Sequence, residues 1–185
     1  MKELSLNILD VAENSVKAKA TLIEILLTQE KNMLTLIIRD NGCGMTKSIL
    51  KGVTDPFYTT RTTRKVGLGL PLLKMAAEMT GGSLKIESVS EIDDAINHGT
   101  TVTAVFYTNH IDFTPIGDMV ATIVTLIQGH PQYDFLFKHS VFGYEISLDT
   151  RELRNVLEDV PLNNYEVIKW IEGSLKEQYL ESESL

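Results

Sequence analysis

The chain has one cysteine in 185 residues, Cys43, so no disulfide can close within it and a reducing, cytosolic compartment is the expectation. Long apolar runs are missing too. The longest, Met119 to Ile127, carries Thr122 and Thr125 and falls short of the ~18 residues that a membrane-spanning helix needs, so no membrane role is expected. Glu3 and Asp10 interrupt any apolar core of an N-terminal secretion signal. Basic residues are scarce: 17 Lys and Arg against 25 Asp and Glu leave a net charge of -8, which argues against nucleic acid as a partner. Internal repeats, low-complexity tracts and heptad arrays are absent from the sequence. What remains suits one domain, or a domain with an appendage, able to bury a sizeable core.

The periodicities that are present alternate between helical and extended. Leu4, Ile8, Val11 and Ser15 fall at helical spacing, which predicts an opening amphipathic helix with Asp10, Glu13, Asn14 and Lys17 on its other face. Thr21 to Thr28 and Met33 to Arg39 read as a β-hairpin across the polar Gln29 to Asn32. Thr46 to Val66 lacks an apolar period and reads as a flexible loop. A helix is expected from Leu70 to Met79, opened near Pro71 and stopped by Gly81-Gly82. Ser83 to Ser90 and Thr100 to Tyr107 read as two more strands around an acidic loop at Asp93 and Asp94. Beyond them, a helix is expected to start at Thr114-Pro115 and run to Gln128. A hairpin from Gln132 to Leu148 and helices at 150–157 and 164–180 would follow, with a frayed end at 181–185. The predicted boundary lies between residues 1–109 and an α/β extension at 110–185.

Four motifs stand in fixed order along the first part: Asn14-x-x-Lys17, then Asp40-Asn41-Gly42-Cys43-Gly44-Met45, then Gly67-Leu68-Gly69-Leu70, then Gly99-Thr100-Thr101. Each alone reads as a turn or a solvated face. Together they resemble the N, G1, G2 and G3 boxes of the Bergerat-fold (GHKL) ATPases, over roughly residues 4 to 107. Asp55 to Thr60 is similar to the F box of histidine kinases. The resemblance implies an α/β two-layer sandwich, a mixed sheet with helices on one face, and a site for ATP and Mg2+.

On that resemblance Asp40 accepts the exocyclic amine of adenine, Gly42, Gly44 and Met45 shape the loop beneath the base, and Thr100 helps to fix Asp40 and an ordered water. Gly67, Leu68 and Gly69 lead into a helix whose free N–H groups and dipole suit phosphate oxygens. Asn14 is the expected Mg2+ ligand, through its amide oxygen, and Lys17 reaches the phosphates. Phe57 and Arg61, with Arg64 and Lys65, fall in the segment that resembles the ATP lid. Cys43 reads as a small filler between two glycines.

The chemistry is less determined. None of His98, His110, His130 or His139 is followed by an acid, so this stretch is at most the catalytic half of a histidine kinase. Gyrase-like ATPases and anti-sigma-factor kinases place a Glu base four residues before the Mg-binding Asn. Here that position holds Asp10, one methylene shorter, and a ~1 Å misplacement can cost on the order of a hundredfold in rate. Glu13 lies about a hundred degrees around the helix from Asn14 and is the weaker candidate. A regulatory kinase or ATPase acting on a separate protein is therefore the first expectation. A non-catalytic ATP-sensing module is the alternative, and a gyrase-type clamp is discounted because the stretch has no transducer domain of the expected size. The apolar helix at 116–127 is expected to dock a protein partner or a second copy of the chain.

Overall fold

A computed structural model of the chain describes residues 3–55 and 68–184. Helix α1 (Leu4–Lys17) buries Leu4, Ile8, Val11, Ala12 and Ser15, the stripe that a helical period dictates. The hairpin follows as β1 (Leu22–Glu30) and β2 (Met33–Asp40), in which Glu30 faces Met33 across a two-residue turn with Lys31 at a φ of 50°. The segment expected to be a loop contains a short helix, α2 (Lys47–Gly52), too brief to show an apolar period in the sequence. Helix α3 (Gly69–Met79) and strands β3 (Ser83–Val89) and β4 (Gly99–Tyr107) occupy the expected places.

The extension supplies α4 (Met119–Gly129), β5 (Asp134–Val141), β6 (Tyr144–Asp149), α5 (Thr150–Leu157) and α6 (Tyr165–Glu183). Helix α4 starts later than Thr114-Pro115 suggested. Asp118 is its N-cap, accepting from the Ala121 N–H at 2.8 Å, while the carbonyls of Pro115 and Ile116 accept the N–H groups of Leu4 and Ser5. That extended segment thus caps α1, which has no side-chain cap of its own. At the C-terminus, the stretch expected to fray is helical to Glu183.

All six strands form one mixed sheet in the order β3-β4-β2-β1-β5-β6, with β5 parallel to β1 and the other pairs antiparallel. Helices α3, α1, α4 and α6 pack side by side against one face, giving the two-layer sandwich. Ile23, Ile25 and Leu27 of β1, Leu34, Leu36 and Ile38 of β2, and Phe135 and Phe137 of β5 lie beneath them in a single core. The apolar helix thought to need an outside partner finds one within the chain. Met119, Val120, Ile123, Leu126 and Ile127 of α4 are buried, with α1 on one side and α6 on the other. The expectation that this face is a docking surface is corrected accordingly.

Candidate nucleotide site

The sheet register brings the first part of the site together. Asp40, at the end of β2, pairs with Thr100 on β4, which pairs with Ser88 on β3. Directly opposed residues share a face, so the three side chains form a row on the helix-covered side, at the strand ends where the apolar packing stops. The Asp40 carboxylate is held at both oxygens: Oδ1 accepts from the Gly42 N–H at 2.9 Å, and Oδ2 accepts from the Ser15 hydroxyl at 2.7 Å. Each oxygen keeps a further lone pair, so the group is oriented yet still able to accept.

The loop after Asp40 is laced down on both sides. The Cys43 N–H donates to the Ala18 carbonyl at the end of α1, and the Cys43 carbonyl accepts from the Glu91 N–H just beyond β3, each at 2.9 Å. Gly44 has a φ of +64°, and a Cβ there would lie 1.8 Å from the Val89 carbonyl oxygen. Only glycine satisfies both the left-handed backbone and that close approach. The Met45 N–H donates to Ser88 Oγ at 2.8 Å, and a His98 ring nitrogen contacts the Gly42 carbonyl.

The second part lies where α1 meets α3. Asp10, Asn14 and Lys17 occupy one stripe at i, i+4 and i+7, with Asn14 half-buried and the other two exposed. Gly69 opens α3 hard against this stripe: a Cβ on it would lie 3.1 Å from Asp10 Cβ. The start of α3 has no side-chain cap among the described residues; Gly69, Leu70 and Pro71 are buried, and the positive end of the helix dipole lies beside the exposed Leu68. Glu13 is engaged elsewhere. Its Oε1 lies 2.7 Å from Nε2 of His130, at the C-cap of α4.

The structure therefore brings Asp40, Gly42, Gly44, Met45 and Thr100 into one cluster and Asp10, Leu68 and Gly69 into another. Asn14 and Lys17 lie along the helix that joins them. Phe57, Arg61 and Gly67, like Arg64 and Lys65, fall outside the described residues. Sequence reasoning missed Ser15, counted only as a member of the buried stripe, and Ser88. A hydroxyl on an apolar stripe next to Asn14 was the available signal for Ser15, which is 4% exposed in the fold. Ser88 gave none, because strand alternation alone accounts for it. Among the described residues no group of three His, Cys, Asp or Glu is placed to hold a metal ion by itself.

Comparison with known proteins matches residues 2–110 to the family described as histidine kinase-, DNA gyrase B-, and HSP90-like ATPase. The chain is 31% identical over 99 residues to the sensor histidine kinase YvrG of Bacillus subtilis, covering 50% of this chain and 16% of that protein. It is 35% identical over 71 residues to the C4-dicarboxylate transport sensor protein DctB of Pseudomonas aeruginosa, covering 38% of this chain and 12% of the relative. The chain thus aligns with only a small part of the length of these curated relatives. Among solved structures, the MutL ATPase domain of Aquifex aeolicus complexed with ADP superposes with a TM-score of 0.56 at 15% identity, over 85% of this chain and 70% of that one. That coverage is more than residues 2–110 can supply, so the shared fold continues into the extension. Motif order, sheet topology and the match over residues 2–110 together place the chain in the histidine kinase-, DNA gyrase B- and HSP90-like ATPase family.

Proposed function

We propose that the chain binds Mg-ATP and serves as a regulatory kinase or ATPase on a separate protein, with residues 1–109 as the nucleotide unit and 110–185 as its scaffold. The observation that carries this reading is the Asp40 carboxylate, fixed by Ser15 and Gly42 opposite Thr100 at the mouth of the strands. It would accept the adenine amine. Asn14 would supply one oxygen to Mg2+, the remaining positions being filled by phosphates and water, which fits the lack of an acid cluster among the described residues. Lys17 and the start of α3 would meet the phosphates, and Asp10, packed against Gly69, would orient or deprotonate the attacking group.

The short reach of Asp10 supports the second reading, an ATP-sensing module with little turnover. Purified chain and ATP labelled at the γ-phosphate separate the two. Phosphate release, or transfer of label to a protein in a cognate extract, supports the enzyme; nucleotide binding with neither supports the sensor. Asp10→Glu is expected to raise single-turnover hydrolysis, and Asp10→Asn to abolish it with binding intact. No gain with Glu together with no loss with Asn would remove Asp10 from the mechanism.

A further inference from the structure

We infer, on the Mg-ATP reading above, that His130 of the extension is a positioning residue for the metal end of the site: by holding Glu13 it fixes the roll of α1 that presents Asn14. Three consecutive residues of α1 carry the case. Glu13 is tied to His130 Nε2 at 2.7 Å and Ser15 to Asp40 at 2.7 Å, while the Asn14 carboxamide between them has no partner among the described residues. Successive residues of a helix point about a hundred degrees apart. The two ties therefore grip α1 from its α4 side and from the core, and leave Asn14 on the shoulder it shares with Asp10, where Gly69 of α3 packs. A carboxylate only accepts, so His130 Nε2 carries a hydrogen and donates it to Glu13, whichever charge the ring bears.

His130 is itself fixed. It ends α4 as the C-cap, its N–H donating to the Leu126 carbonyl at 2.9 Å, and its carbonyl accepts from the Tyr133 N–H at 3.1 Å. Arg154 of α5 holds the turn that follows, donating from Nη2 to the carbonyls of Pro131 and Tyr133 at 2.6 and 3.0 Å and from Nε to Asp134 at 2.7 Å. Contact thus runs from α5 through this corner to the turn of α1 that carries Asn14, and every part of it but Glu13 lies beyond residues 2–110. A side-chain atom ~5 Å from a helix axis moves about 1 Å when the helix rolls by about 10°. Mg2+ demands near-ideal octahedral geometry with ligands at roughly 2.0 to 2.1 Å, so a shift of that size costs it a ligand. The base end is affected less, because Asp40 is held by the Gly42 N–H as well as by Ser15.

ATP is the probe, titrated by calorimetry against the full chain in Mg2+ and in EDTA, and the readout is the ratio of the two affinities. Removing a group that orients a metal ligand typically costs ~10- to 100-fold in metal affinity; His130 acts from further away, so His130→Ala should lower the ratio about 3- to 10-fold with little change in EDTA. His130→Gln, which can place an amide N–H where Nε2 stood, should recover most of the loss. Glu13→Ala should match His130→Ala, and the double variant should lose no more than either alone, as for two halves of one contact. Equal losses in both buffers, an unchanged ratio in folded His130→Ala, or losses that add in the double variant overturn the inference and leave the ATP site standing. If His130→Ala does not fold, the ratio in Glu13→Ala decides by the same criteria. A wild type that gains no ATP affinity from Mg2+ would instead remove the Mg-ATP reading, and this inference with it.

Discussion

In the proposed site Asp40 and Asn14 would divide two jobs while sharing α1 as a support. Asn14 and Ser15 are neighbours in sequence, but Ser15 is buried and donates to Asp40, while Asn14 is half-buried on the stripe with Asp10 and Lys17. On the proposed reading, base recognition and metal binding would be held in register by one peptide unit. The two should nonetheless separate experimentally. Asn14→Ala removes a metal ligand and no base contact, so its loss of ATP affinity should be large in Mg2+ and small in EDTA. Titrations in both buffers check this, and equal losses would give Asn14 a structural role only.

Among the elements, α4 and β5 continue the helix layer and the sheet beyond α1 and β1, and α6 packs beside α4. His139 on β5 is 3% exposed, with Nδ1 bonded to the Tyr179 hydroxyl of α6 at 2.8 Å and Nε2 without a partner among the described residues. Burial lowers the imidazole from 6.5 to about 4 and likewise raises the Tyr179 phenol, so burial holds both groups in their neutral forms. Because the folded value lies below the unfolded one, the unfolded chain takes up the proton first. The contribution to stability is complete above about 6.5 and is lost as pH falls toward 4, by up to about 3 kcal/mol. Urea unfolding between pH 7.5 and 4.5 should show His139→Leu losing less stability on acidification than the wild type; identical acid slopes would exclude His139 as a source. The same elements show why sequence reading stopped where it did. The hairpin of β5 and β6 was legible from the strand patterns at 132–138 and 143–148, but Gly143 falls in the turn and not in the strand, with Phe142 and Gly143 at φ of 48° and 94°. Its docking parallel to β1 was not, because the β1 edge that receives it is encoded far away. Thr114-Pro115 looked like a helix start until the fold used those carbonyls to cap α1. The hydrogen bonds that make Ser15 and Ser88 site residues span 25 and 43 positions, so neither partner could be read from local pattern, although the Ser15 hydroxyl on an apolar stripe was a signal.

For the molecule as a whole, one continuous sheet means that the family region and the extension stand or fall together. A truncation ending at Asn109 would strip β5 from β1, exposing a hydrogen-bonding edge, and would uncover the α1 surface that α4 covers. It is expected to be insoluble or unfolded, as circular dichroism and sedimentation would show, and a soluble, ADP-binding fragment would contradict the scaffold role. The fold, the family and the base-end cluster all meet at one carboxylate, so the most direct test lies there. Asp40→Asn offers a donor where the adenine amine needs an acceptor, at a cost of roughly 1 to 3 kcal/mol. Calorimetry with ADP, which is independent of the γ-phosphate, should show wild-type binding and roughly a ten- to hundredfold loss in a variant that remains folded. ADP affinity unchanged by Asp40→Asn would contradict the account at its centre.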